Sequence, residues 1–153
     1  MKYLIIPIYL LSHLIYSQNY QFVYTQQVNN NDNIFLADES GPIKQITNHR
    51  SKDSSPVISP DGKWMIFTSE RAGWWKIWTM NLETEEVKQL TFSSNAEYSP
   101  SWSPDGKSIV FVSSRDGNQV IYTMDRDGEN QINITKNTTS YVMPLSGRDN
   151  NIY

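Results

Sequence analysis

The chain has 153 residues, a formal net charge of −3 and no cysteine. This length fits one domain, and a chain without cysteine has no disulfide, zinc–thiolate site or thiol nucleophile. Only 19% of the residues are charged and the basic residues form no cluster, which argues against a nucleic-acid partner. The five Trp, nine Tyr and five Phe favour a folded, β-rich chain over disorder.

The N-terminus has the order of a secretory signal peptide. Lys2 is followed by an apolar run over residues 3–16 and then by the small residue Ser17. The run is shorter than the roughly 20 residues that a membrane-spanning helix needs. We therefore predict a signal peptide over residues 1–17, an exported mature chain over residues 18–153 in a bacterial periplasm, and no membrane span after cleavage. A buried N-terminal strand and an uncleaved membrane anchor are the alternatives.

A repeat of 44 residues organises the rest of the chain. The sequence Ser-Pro-Asp-Gly-Lys begins at Ser59 and again at Ser103, and residues 59–102 placed on residues 103–146 without a gap give 15 identities. A degraded copy precedes them. A repeat of this length is typical of proteins built from stacked structural units.

Each unit is predicted to hold four short strands. The first strand is predicted at residues 57–58 and 101–102. Pro and Gly of Ser-Pro-Asp-Gly-Lys then favour a hairpin turn with Gly at positive φ. The second strand is predicted over residues 64–69 and 108–113, and the third over residues 76–80 and 120–124. A polar turn then leads to a fourth strand that ends at residue 91 or 135.

The continuously apolar second strands indicate that both faces of each sheet are covered. Four-stranded units of this length with two covered faces predict an all-β chain of β-propeller blades. A β-sandwich would not need a repeated turn sequence, and the rungs of a β-solenoid are shorter than these units.

Three units are too few for a closed ring. They are predicted at about residues 20–55, 56–99 and 100–143, with a stub at 144–153, and the first unit starts at its second strand. Closed propellers have about four to eight blades. We therefore expect an incomplete ring, either in a fragment of a longer propeller or in a chain that self-associates through open blade edges.

The repeated motifs resemble the TolB-type propeller repeat, which is also called the WD40-like or PD40 repeat. The resemblance rests on Ser-Pro-Asp-Gly-Lys, on the strands ending at Phe67 and Phe111, on Ser-x-Arg-x-Gly and on Ile-aromatic-x-Met, and it covers about residues 20–153. It implies a non-enzymatic propeller of the cell envelope that binds one or more envelope proteins. Similar blades occur in prolyl oligopeptidases, dipeptidyl peptidases and oligogalacturonate lyases. The alternative is therefore an N-terminal propeller of an exported hydrolase or of such a lyase.

Two adjacent tryptophans are the most unusual local feature. Trp74 and Trp75 occupy positions where the next unit has Asn118 and Gln119, so the blade itself does not require aromatic residues there. Exposed aromatic side chains beside cations such as Lys76 are typical of binding hot spots. Packing of the tryptophans on the adjoining loop is the alternative. We predict a binding face on the loops between second and third strands, made by Arg71, Trp74, Trp75, Arg115 and Asp116.

No catalytic residue, metal site or cofactor is predicted. Beyond the leader the only histidine is His49, which lies in a polar stretch, and no Gly-x-Ser-x-Gly motif occurs. We interpret His49 as an exposed loop residue. Residues 125–129 superficially resemble a calcium loop, but their place in the repeat predicts the turn between the third and fourth strands.

Overall fold

The computed structural model describes residues 21–135 together with Pro144 and Ile152. Residues 21–135 form 11 strands in three antiparallel sheets. In this part of the chain no helix is long and apolar enough to cross a membrane. The predicted signal peptide and most of the stub at 144–153 lie outside the described residues.

The three sheets have the strand pattern of propeller blades. The first sheet has the order β1 (Phe22–Val28), β2 (Asn31–Asp38), β3 (Gly41–Gln45). The second has the order β4 (Asp53–Ile58), β5 (Trp64–Ser69), β6 (Lys76–Asn81), β7 (Val87–Gln89). The third has the order β8 (Glu97–Trp102), β9 (Ser108–Ser113), β10 (Val120–Asp125), β11 (Ile132–Asn133). The all-β class and the incomplete ring are confirmed: these sheets do not close on one another within residues 21–135, and the first lacks the strand equivalent to β4.

The central sheet is buried on both faces because the side chains of β5 alternate. Met65 and Phe67 pack with Ile34 of the first sheet. Ile66 points the other way, into a cluster with residues of the third sheet such as Phe111. This explains why the second strands are continuously apolar.

The far face of the third sheet is also covered. Val110 and Val112 of β9 are 3% and 0% exposed.

The two Pro-Asp-Gly turns are the same structure. In the second sheet the Ser59 hydroxyl donates to Asp61 Oδ1 over 2.5 Å, and the Gly62 N–H donates to the Ser59 carbonyl over 2.9 Å. The equivalent bonds of the third sheet, at Ser103 and Gly106, measure 2.6 Å and 2.9 Å. The φ angles of the two glycines are +71° and +68°. The predicted hairpin turns with Gly at positive φ are confirmed.

The first strands differ from their prediction because they begin before the prolines. Strands β4 and β8 start three residues ahead of Pro56 and Pro100, and each shifts register across its proline and the serine before it. The residues at the shift, Ser55 and Ser99, have φ angles of +52° and +53°. Proline has no N–H for a ladder bond, so a bulge lets the strand continue past it.

The turn geometry predicts unequal effects of valine at adjacent positions. Gly106→Val places a β-branched residue at a φ of +68°, and its Cβ would lie 3.4 Å from Pro60 of the neighbouring turn. Lys107 is exposed, so Lys107→Val should change little. We expect Gly106→Val to lower the free energy of unfolding by about 1–3 kcal/mol more than Lys107→Val. Denaturant unfolding measures this difference, and equal stabilities would contradict it.

Candidate functional site

The predicted binding residues lie at one end of the sheets, here called the loop face. It consists of the loops at residues 70–75 and 114–119 and the connection at residues 92–96. The Glu97 N–H donates to the Trp75 carbonyl over 2.8 Å, and the Ser114 N–H donates to the Ala96 carbonyl over 3.1 Å. The first bond joins the second and third sheets at the loop face, and the second ties the connection to the loop of the third sheet.

The two predicted arginines are held by carboxylates at the starts of the first strands. Arg71 Nη2 lies 2.8 Å from Asp53 Oδ2, and Arg115 Nη2 pairs with Glu97 Oε1. The carboxylate side chains are fully buried, whereas those of the arginines are 14% and 21% exposed. Both guanidinium groups are therefore paired with a carboxylate of their own sheet.

Each guanidinium also stacks on aromatic rings of its own sheet. The Arg71 guanidinium carbon lies 5.3 Å from the centre of the Phe67 ring, and that of Arg115 lies 4.4 Å from the Tyr122 ring. Such cation–π contacts stabilise a cation that is partly desolvated. The repeated Ser-x-Arg-x-Gly motif thus ties each loop to its blade.

Lys76, the cation next to Trp75 in the sequence, is buried. Its side chain is 4% exposed, and Nζ lies 3.6 Å from Glu97 Oε2 across the seam between the second and third sheets. Nζ also donates to the carbonyl of Asn95. Burial lowers the pKa of Lys76, and the nearby carboxylate of Glu97 opposes this shift. Glu97 therefore faces two cations, one from each sheet.

Two aromatic side chains of the loop face are largely exposed to solvent, beside polar ones such as Asn95 and Asn118. Trp74 is 62% exposed, whereas Trp75 is half-buried. Phe92, which sequence analysis missed, is 73% exposed in the adjoining connection. Its counterparts in the repeat are Asn48 and Lys136, so the comparison that singled out the tryptophans could also have found it.

Asp116 is exposed but has partners within its own sheet. One of its carboxylate oxygens, Oδ2, accepts hydrogen bonds from the Tyr122 hydroxyl at 2.8 Å and from Asn133 Nδ2 at 2.9 Å. Burial raises the pKa of Tyr122, and the hydrogen bond to Asp116 raises it further. Asp116 thus fixes the end of the third sheet, and its predicted role in binding stays a prediction.

His49 is half-buried and not fully exposed as expected. Its Nδ1 accepts a hydrogen bond from the Ser51 N–H over 3.0 Å, and its carbonyl accepts one from Asn31 Nδ2 over 2.7 Å. It lines an open polar cavity of about 460 Å³ at the first sheet. Among the described residues no group of three or more His, Cys, Asp or Glu side chains could hold a metal ion.

The burial of Lys76 predicts a pH dependence of stability. Its pKa in the folded chain is below the ordinary value of 10.5, so near that pH the unfolded chain binds more protons than the folded one. The free energy of unfolding should therefore rise as the pH approaches 10.5 from below. Lys76→Met should remove this rise, whereas Lys107→Met, at an exposed position, should keep it. Denaturant unfolding over a pH series tests this, and identical pH profiles for wild type and Lys76→Met would contradict it.

Comparison with known proteins agrees with this architecture. The family model for the TolB beta propeller domain, PD40, matches residues 16–111. The crystal structure of TolB from Acinetobacter baumannii matches 85% of this chain and 34% of its own length, with a TM-score of 0.74 and 26% identity. A putative TolB from Agrobacterium tumefaciens matches 75% of this chain and 45% of its own length, with a TM-score of 0.70 and 27% identity.

Enzymes share parts of the sequence and the fold. The uncharacterized peptidase YuxL of Bacillus subtilis is 36% identical over 36 residues, which are 24% of this chain and 6% of that protein. Parts of the crystal structures of a puromycin hydrolase and of an oligogalacturonate lyase from Vibrio parahaemolyticus have the same fold, with TM-scores of 0.65 and 0.63 and identities of 17% and 16%. This chain spans less than half the length of each of these proteins. Because the family model covers well over half of the chain, the chain belongs to the TolB β-propeller family.

Proposed function

We propose that this chain is a non-enzymatic propeller of the bacterial cell envelope that binds a partner protein through its loop face. The observation that carries the proposal is the exposure of Trp74, which is 62% accessible at a position where the repeat does not require an aromatic residue. Family membership supports a propeller of the TolB kind, and the leader-like order of residues 1–17 supports export to the periplasm.

The loop face has the chemistry of a protein-binding surface. Trp74 and Phe92 supply large rigid side chains that lose little conformational entropy on binding, and aromatic residues are enriched at interfaces. The cations beneath them are already paired with Asp53 and Glu97. Recognition would therefore rest on apolar contact, with Asp116 at the polar margin.

The second candidate is a propeller that forms part of an exported hydrolase or polysaccharide lyase. The observation that favours it is the match of 36 residues to a peptidase at 36% identity. Assays of the protein as recovered from its native host against peptide p-nitroanilides and against oligogalacturonates distinguish the two candidates, because a hydrolase propeller is active only together with the rest of its enzyme. We expect no turnover, and turnover of either substrate would favour the enzyme.

Affinity capture from envelope extract of the native host tests the binding proposal. The variant Trp74→Ala/Phe92→Ala removes both exposed aromatic side chains of the loop face. Phe22→Ala is the matched control, because Phe22 is 51% exposed at the start of β1, the end opposite the loop face. We expect a partner bound by wild type and by Phe22→Ala to be recovered at least about tenfold less with the double variant. The same recovery with all three proteins would contradict the proposal.

A further inference from the structure

A cavity of about 410 Å³ opens at the seam between the second and third sheets. Its walls come from the starts of β4 and β8 and from the ends of the two loops that precede β6 and β10. They include Ser55, Trp75, Tyr98, Ser99 and Gln119. The volume falls within the range of about 300–1,000 Å³ that is usual for small-molecule sites.

Two polar residues of the lining are paired within the chain: the Thr68 hydroxyl donates to the Ser54 carbonyl over 2.9 Å, and the Ser54 hydroxyl accepts from the Thr25 hydroxyl over 3.5 Å. Within residues 21–135 no other residue forms a hydrogen bond with the hydroxyls of Ser55, Tyr98 or Ser99 or with the side-chain amide of Gln119. The lining contains no charged side chain. Neutral donors and acceptors without partners beside an aromatic ring can recognise an uncharged ligand that is rich in hydroxyl groups.

The backbone at the cavity is strained in the same way in both sheets. Ser55 and Ser99 have φ angles of +52° and +53°, in the left-handed region that serine rarely adopts. Such residues cost of order 1–3 kcal/mol each and cluster at ligand sites, where the surrounding structure holds them. The two bulges place equivalent serines on both sides of the seam.

Trp75 is held in place at the same seam. Its carbonyl accepts the N–H of Glu97 over 2.8 Å, and the side chain of Glu97 is paired with Lys76 and Arg115 below. The indole is half-buried, so it needs little ordering before it contacts a ligand.

We propose that the seam cavity binds one or two units of a neutral saccharide. The apolar C–H face of a pyranose ring would stack on Trp75, and its hydroxyls would exchange hydrogen bonds with Tyr98, Ser99 and Gln119. A phosphorylated or carboxylated ligand would meet no cation in the lining and would leave water without compensation. This inference is independent of the partner protein proposed for the exposed tryptophan.

Binding of defined oligosaccharides to the purified chain tests the proposal. The neutral probes are chitotriose, cellotriose and maltotriose, and trigalacturonate is the charged comparison. Isothermal titration calorimetry gives the affinities. We expect at least one neutral trisaccharide to bind and trigalacturonate to bind at least about tenfold more weakly. Absence of binding by all neutral probes, or tighter binding of trigalacturonate, would overturn the proposal.

Three single variants locate the bound sugar. Trp75→Leu removes the stacking surface and Gln119→Leu removes an amide with little change in volume, whereas Phe22→Leu is the control, at an exposed aromatic residue on the end opposite the loop face. Gln119→Leu keeps the test valid if Trp75→Leu lowers stability. We expect each cavity variant to weaken binding by about tenfold and the control to weaken it by less than about twofold. Equal losses in all three variants, or unchanged binding by Gln119→Leu, would overturn the assignment.

Discussion

The buried carboxylate of Glu97 is the interaction on which the second and third blades depend. It pairs with Arg115 of its own sheet and with Lys76 of the neighbouring sheet, and its side chain has no exposed surface. Such a group costs several kcal/mol to desolvate, and its two cations repay this cost only in the assembled seam. The network therefore favours one position of the two sheets relative to each other. The apolar cluster around Ile66 and Phe111, whose contacts are not directional, would allow more than one.

The loop face follows from this arrangement. The backbone of Glu97 holds the carbonyl of Trp75, so the loop that carries both tryptophans is tied to the next blade. At the equivalent place in the second sheet, Asp53 holds only Arg71. The first sheet has a tight turn at Asn29 and Asn30 in place of the longer loop, and both residues have positive φ. The seam between the second and third sheets is thus the one that combines a crossing ion pair, an exposed aromatic residue and a strained cavity within the described part of the chain.

Much of the fold could be predicted because the repeat provides two sequences for each equivalent strand. The bounds of β5 and β9 agree with the prediction to the residue, since a continuous apolar run between a Gly turn and a Ser-x-Arg loop has one register. The first strands could not be bounded in this way, because Pro56 and Pro100 argue against a ladder that a bulge in fact accommodates. Because the predicted strands began after the prolines, Asp53 and Glu97 at the true strand starts were not identified as the partners of Arg71 and Arg115.

Candidate binding residues in the loops could be predicted only where one unit of the repeat differs in sequence from the next. Trp74 was found because its counterpart is Asn118, and Phe92 could have been found in the same way. Lys76 stands where the next unit has Val120, a buried strand residue, and Lys76 is buried as well. A lysine at an apolar position of a repeat indicates a buried partner, here Glu97 across the seam.

The most direct test of this account is a double-mutant cycle between Lys76 and Glu97. The variants Lys76→Met, Glu97→Gln and their combination are compared with wild type by denaturant unfolding at constant pH and salt. Glu97→Gln leaves Lys76 buried without its carboxylate, and Lys76→Met leaves Glu97 with Arg115 as its only cation. The double variant should therefore be more stable than the sum of the single losses predicts. We expect a coupling free energy of about 1–3 kcal/mol. Additive losses, with a coupling near zero, would show that the charge pair does not hold the seam and would contradict the account.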